Sequence, residues 1–129
     1  MKHIMKALSV RQPWAWAIFN GKTIENRTWP TEYRGPLLIH AGQKVDGPGW
    51  NWMLQREQEL DIRMPDDNDL KFGGFIGVVD LVDCVTRYDN PWFTGPFGFV
   101  LRNSRLIDFI PYDGNLRIFD VPVNIVEGR

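Results

Sequence analysis

The sequence predicts an α+β fold, a curled antiparallel or mixed sheet of about six or seven strands with two flanking helices. Three observations lead there. Short runs rich in branched residues recur along the chain, each closed by Gly, Pro, Asn or Asp. Only two stretches carry apolar residues at helical spacing. Strands and helices do not alternate regularly, which argues against a doubly wound parallel sheet. A length of 129 residues suits one core, so a single domain is expected over 1–129.

Met5 to Val10 alternates and reads as the first strand. Pro13 sits where a helix begins, at a position that needs no N–H. The helix runs through Trp14, Ala17 and Ile18 on one face and stops at Gly21. Thr23 to Trp29 is the second strand and ends at Pro30. Arg34-Gly35-Pro36 is a turn, and Leu37 to His40 is a buried strand closed by Ala41-Gly42. A helix is expected from about Trp50 to Leu60, and Asp61 to Gly74 reads as an acidic, mobile surface loop. Gly74 to Val85 is the clearest strand, long enough to be bent, with Gly77 as the bulge. Phe97 to Arg102 and Arg105 to Tyr112 read as two strands joined by a tight turn at Asn103-Ser104. Arg117 to Ile125 is the last strand region, and Pro122 places it at an edge or a bulge.

Composition narrows the function. At 43% hydrophobic and 24% charged residues, the chain is globular. Six Trp, eight Phe and three Tyr supply flat rings for both a core and a ligand face. One cysteine, Cys84, excludes an intrachain disulfide and points to a reducing compartment. Neither a signal-peptide run at the start nor a stretch of membrane-spanning length is visible, so a soluble, cytoplasmic protein without membrane contact is expected. The formal net charge is −1, but it is unevenly spread. Residues 1–44 carry seven Lys/Arg against two Glu, residues 45–90 four against ten Asp/Glu, and residues 91–129 four of each. A basic first third makes an anion-binding face if folding keeps its charges together.

Several chemistries find no motif. The chain lacks a Gly-rich phosphate loop, a GxSxG elbow and an HExxH pair. Two histidines and one cysteine make no metal set, so no metal and no cofactor is expected. What remains is a polar cluster. Arg11 and Gln12 precede the first helix, and Lys22, Glu25 and Arg27 follow it. In an extended segment Glu25 and Arg27 share a face. Their pairing would fix the guanidinium fork for phosphate or base edges, with Lys22 as a point charge at the mouth. On spacing alone, a solvated strand face with a surface ion pair is the simpler account. His40, at the end of an apolar strand, is more often a packed residue than a ligand.

The run LSVRQPWAWAIFNGKTIENRTW followed by RGPLLIHAG resembles the activating signal cointegrator homology (ASCH) family. The family's GxKxxExR-like motif reads here Gly21-Lys22-Thr23-Ile24-Glu25-Asn26-Arg27, one residue shorter between Gly and Lys. The lead-in is Arg11-Gln12-Pro13-Trp14, and GFIGVVDLVDC resembles a later family strand. The resemblance implies a PUA-like β-barrel and a cleft that takes RNA, a nucleotide or a modified nucleobase. Arg11, Gln12, Lys22, Glu25, Arg27, Trp29, Arg34 and His40 are the residues expected at that cleft. Trp14, Trp16 and Trp29 are the candidate stacking platforms, with Trp14 better suited to the core and Trp29, beside Pro30 at a strand end, better suited to exposure. Some members are amidohydrolases on N4-acetylcytidine, with a Lys and a Thr in a K-T-I-T-I-R run. Here Lys22 and Arg27 match, and Glu25 stands in place of the Thr nucleophile. A metal-independent hydrolase using Lys22 and Glu25 is therefore the alternative to a binding module. A third alternative is a protein-interaction domain that docks a basic partner on the acidic 57–69 stretch.

Overall fold

The computed structural model describes residues 3–127, and the ends of the domain expected over 1–129 lie outside them. In chain order the elements are β1 (Ile4–Gln12), α1 (Trp14–Ile18), β2 (Ile24–Arg27), β3 (Gly35–Val45), α2 (Gly47–Leu54), α3 (Glu57–Leu60), a 3-10 turn (Asp67–Asp69), β4 (Gly74–Val85), β5 (Phe97–Pro111), β6 (Ile118–Pro122) and α4 (Asn124–Glu127). The fold is α+β, as expected, with one six-stranded sheet in the order β2-β5-β4-β3-β1-β6. The β1–β3 pair is parallel and the others are antiparallel. The sheet is barrel-like without being closed. No ladder joins its edge strands β2 and β6 among the described residues.

Both faces of the central strands are covered, which is why these strands read as unbroken apolar runs rather than alternating ones. Leu8, Leu37, Ile39, Val79, Leu81, Phe99 and Leu101 pack inside with Ala15 and Ile18 of α1. Ala7, Leu38, Phe75, Val78, Ile110 and Val121 form a second cluster. Ile24, Val100 and Trp92 join Met53 of α2 and Leu60 of α3 in a third.

Five expectations change. Strand β3 begins inside the expected Arg34-Gly35-Pro36 turn and runs past Ala41-Gly42 to Val45, because Gly35 and Pro36 already pair with Leu81 and Asp80 of β4. Phe97 to Tyr112 is not two strands with a turn, because β5 runs through as one strand. Asn103 has φ +54° and sits in a bulge, where β5 spends an extra residue between the pairs Asp80–Arg102 and Val78–Arg105. The left-handed tendency of Asn that marks turns serves a bulge equally well. The expected Trp50–Leu60 helix starts earlier, at Gly47, and breaks in two. Asp46 caps α2 by accepting from the Gly49 N–H at 3.0 Å, and the Arg56 guanidinium donates to the Trp52 carbonyl at 3.0 Å beside the break. The acidic 61–74 segment holds a 3-10 turn with a capping box between Asp66 and Asp69. The last strand ends at Pro122, on the sheet edge where proline costs no ladder bond, and α4 follows it.

The β4 bulge falls one residue before the expected Gly77: Ile76 is the extra residue between the pairs Ile39–Gly77 and His40–Phe75, and Gly77 itself is matched with Ile39 and Leu106. A Cβ there would lie 2.4 Å from the Phe19 ring and 2.7 Å from the Arg105 carbonyl oxygen. The missing side chain at Gly77 lets Phe19, at the end of α1, press directly on β4. No helix among the described residues is long and apolar enough to cross a membrane.

Candidate ligand cleft

Strand β2 sets the site. Ile24 is fully buried in the cluster with Val100 and Trp92, so the alternate positions Glu25 and Arg27 face the other way. They pair as the period of two requires. Arg27 Nε and Nη2 lie 3.1 and 3.0 Å from Glu25 Oε2. Arg27 Nη2 also donates to the Ser9 carbonyl of β1 at 2.8 Å. The β1–β6 ladder ends at Leu8–Ile118, and the next carbonyl along β1 is the one Arg27 takes. A side chain thus bridges the gap that the sheet leaves between β2 and β1.

Lys22 does not stand at the mouth of the site. It is 1% exposed, and its Nζ donates to the Ile24 carbonyl at 2.6 Å and to Glu25 Oε1 at 2.7 Å. The chain leaving α1 turns at Gly21, whose φ is +106°, and carries the lysine inward beneath β2. There the ammonium lies 5.6 Å from the centre of the Trp14 ring. Burial lowers the Lys22 pKa, and Glu25 pulls only partly against it. For Glu25, burial pushes upward but the two cations and their hydrogen bonds outweigh it, so its pKa lies below the ordinary carboxylate value. The result is a buried row of two cations on one carboxylate.

Over this row opens a cleft of about 1190 Å³, walled by β1, β2, the far end of β3 and the 112–117 loop. Arg11, Arg27, Lys44 and Arg117 line it against Glu25, Asp46 and Asp113. The Asp46 carboxylate is already committed, accepting from Trp14 Nε1 at 2.8 Å as well as from Gly49. Half-buried Trp29 stands in the wall, edge-on to Phe99 at 5.1 Å, with Arg27 and Arg117 at 6.0 and 4.9 Å from its ring centre. The basic first third of the chain is therefore gathered only in part. Lys6 pairs with Asp120 and Arg34 lies near Asp83, both away from the cleft.

The remaining expected residues divide. Arg11 lines the cleft and is exposed. His40 lies against the cleft but is 2% exposed, with Nε2 at 2.6 Å from the Tyr112 carbonyl and Nδ1 at 3.2 Å from Ser9 Oγ. A carbonyl only accepts, so Nε2 carries the proton and Nδ1 accepts from the Ser9 hydroxyl. Gln12 is buried and faces elsewhere. It donates to the Lys71 carbonyl and accepts from the Trp16 N–H at the start of α1, both at 2.9 Å. Arg34 lies outside the cleft and donates to the Thr31 and Tyr33 carbonyls. Arg117 and Lys44 were not singled out by the sequence. Their signal is faint: Arg117 lies just after the Asp113-Gly114-Asn115 loop, and loops carry exposed, functional side chains, while Lys44 is one cation near the end of β3.

A model of the ASCH domain matches residues 8–94. Activating signal cointegrator 1 of Homo sapiens is 33% identical over 135 aligned residues, which take in 94% of this chain and 23% of that protein. Activating signal cointegrator 1 of Mus musculus is 31% identical over the same shares. This chain thus spans 23% of the length of these relatives. The matched segment contains α1, β2 and the whole Lys22–Glu25–Arg27 row, and it ends before β5. With the family model matching residues 8–94 and a relative 33% identical over 94% of the chain, the chain belongs to the ASCH domain family.

Proposed function

We propose that the chain is an RNA-binding ASCH domain, one domain over 1–129, whose cleft takes single-stranded RNA or a nucleotide along Arg11, Arg27, Lys44 and Arg117. The observation that carries this reading is the state of Arg27. Glu25 and the Ser9 carbonyl hold Nε and Nη2, and Nη1 has no partner among the described residues, at the floor of an open cleft. A guanidinium fixed in this way has lost its conformational freedom before a phosphate or base edge arrives, which is what makes a recognising contact efficient. Cations along a groove beside an aromatic ring are the parts that single-stranded nucleic acid requires. Lys22 and Glu25 act as positioning residues here, since the ammonium is spent on Ile24 and Glu25.

Titration of a labelled single-stranded RNA at several salt concentrations tests the reading. Each neutralised phosphate contributes about −0.7 to the slope of log affinity against log salt. Arg27→Ala is expected to weaken binding and to flatten that slope by about one such contribution. A folded protein that binds no RNA at low salt removes the reading.

A further inference from the structure

The loop that closes the cleft is pinned at its base and free at one side chain. His40 Nε2 donates to the Tyr112 carbonyl at 2.6 Å, and the Asn115 N–H donates to Ser9 Oγ at 3.3 Å. Between them Gly114 packs so closely that a Cβ would lie 2.8 Å from Ser9 Oγ and 2.9 Å from His40 Cε1. The backbone is thereby held against β1 and β3. Arg117 follows with φ +54° and an exposed side chain. That side chain has no hydrogen bond and no ion pair among the described residues. Its guanidinium lies 4.9 Å from the centre of the Trp29 ring.

Trp29 is anchored on its other side. Its ring meets Phe99 edge-on at 5.1 Å, and Phe99 is fully buried in the main core. The indole is a fixed plate, and what covers it toward the cleft is a movable cation. An exposed cation–π contact is weaker than the stack of a nucleobase on an aromatic ring. Exchange of one for the other is therefore downhill. A guanidinium also stacks on a base as readily as on an indole.

We propose that Trp29 and Arg117 form a clamp for one unpaired nucleobase, which displaces the guanidinium from the indole and ends between the two planes. The inference rests on the RNA reading of the cleft and adds to it that the site takes a base and not phosphate alone. A base inside a duplex is stacked and paired and cannot enter, so the clamp selects single strands.

The test compares a labelled short oligouridylate with an abasic oligomer of the same length and charge, for wild type, Trp29→Ala and Arg117→Asn. Asn is chosen because it tolerates the left-handed backbone at that position. Wild type is expected to prefer the base-bearing oligomer, and Trp29→Ala to lose about 5- to 150-fold on it with little change on the abasic one. Arg117→Asn is expected to lower the same preference, and to carry the test alone if Trp29→Ala does not fold. Equal wild-type binding of both oligomers overturns the clamp and leaves the RNA reading standing. An unchanged preference in a folded Arg117→Asn also overturns the clamp. Wild type that binds neither oligomer removes the RNA reading and the clamp with it.

Discussion

Lys22 donates to Glu25 at 2.7 Å while the two side chains are only 1% and 8% exposed. An ammonium taken out of water needs its carboxylate far more than a surface lysine does. Arg27 completes the row from the solvent side at 22% exposure. The motif is thus a structural unit in which Arg27 and Glu25 border the cleft and Lys22 does not.

Removing the shared carboxylate is expected to cost the most. Glu25→Ala leaves both cations unpaired and should destabilise the fold by about 3–5 kcal/mol. Lys22→Met keeps the volume and leaves Glu25 with Arg27, so about 1–3 kcal/mol is expected from the unpaired Ile24 carbonyl and the lost pair. Urea melts of the two variants and of the double variant check the order and the coupling.

The same row gives an acid-side dependence. The folded pKa of Glu25 lies below its ordinary 4.5. Its contribution is complete above that value and is lost as pH falls through the lowered folded pKa, because the unfolded chain takes the proton first. Lys22, lowered from 10.5, acts at the other end: the folded chain releases its proton first, so its burial penalty fades as pH rises toward that value. Urea melts from neutral to acid pH should show wild type losing stability in acid, and Glu25→Gln losing less.

Arg27→Lys keeps the charge and loses the fork. One ammonium cannot hold Glu25 and the Ser9 carbonyl together and still present a free group to the cleft. A stability loss of about 1–2 kcal/mol and a several-fold weaker hold on single-stranded RNA are expected. Arg34→Ala, outside the cleft, should leave RNA affinity within about twofold. Calorimetric titration beside thermal melts separates binding from folding in both variants.

Gly114→Ala should lift the 112–117 loop. The added methyl meets Ser9 Oγ and His40 Cε1 at less than 3.0 Å, and both belong to strands that cannot retreat. A cost of about 1–3 kcal/mol is expected. Amide hydrogen exchange should show Asn115 losing protection in the variant, since its N–H is held by Ser9 in the native chain.

Much of this architecture was legible in the residues, and the failures have physical causes. Gly77 points to the irregularity of β4, since a glycine inside a long strand marks a bulge or a close approach, but the extra residue is its neighbour Ile76 and Gly77 serves the close approach of Phe19. The shared face of Glu25 and Arg27 followed from strand periodicity, and their pairing from opposite charge. Lys22 was misplaced because a lysine beside a helix end is ordinarily solvated. Its burial depends on Gly21 turning the chain and on a carboxylate three residues on. Asn103-Ser104 misled because a bulge and a turn ask for the same backbone. Arg117 was missed because nothing local to it speaks of Trp29, which lies at the far end of the chain.

The pairing partner of β2 has a consequence for how the protein comes into being. Ile24 is matched with Val100, and among the described residues β5 is the one strand that holds β2 in the sheet. Contacts so distant along the chain form only after the entropy of closing a long loop has been met. During synthesis Arg27 has no wall to stand on until β5 has followed it. A nascent chain stopped at residue 94, where the family match ends, carries the whole motif and no cleft. On the RNA reading of the cleft, competence to bind therefore waits for β5 and the 112–117 loop, although the motif itself lies wholly before them.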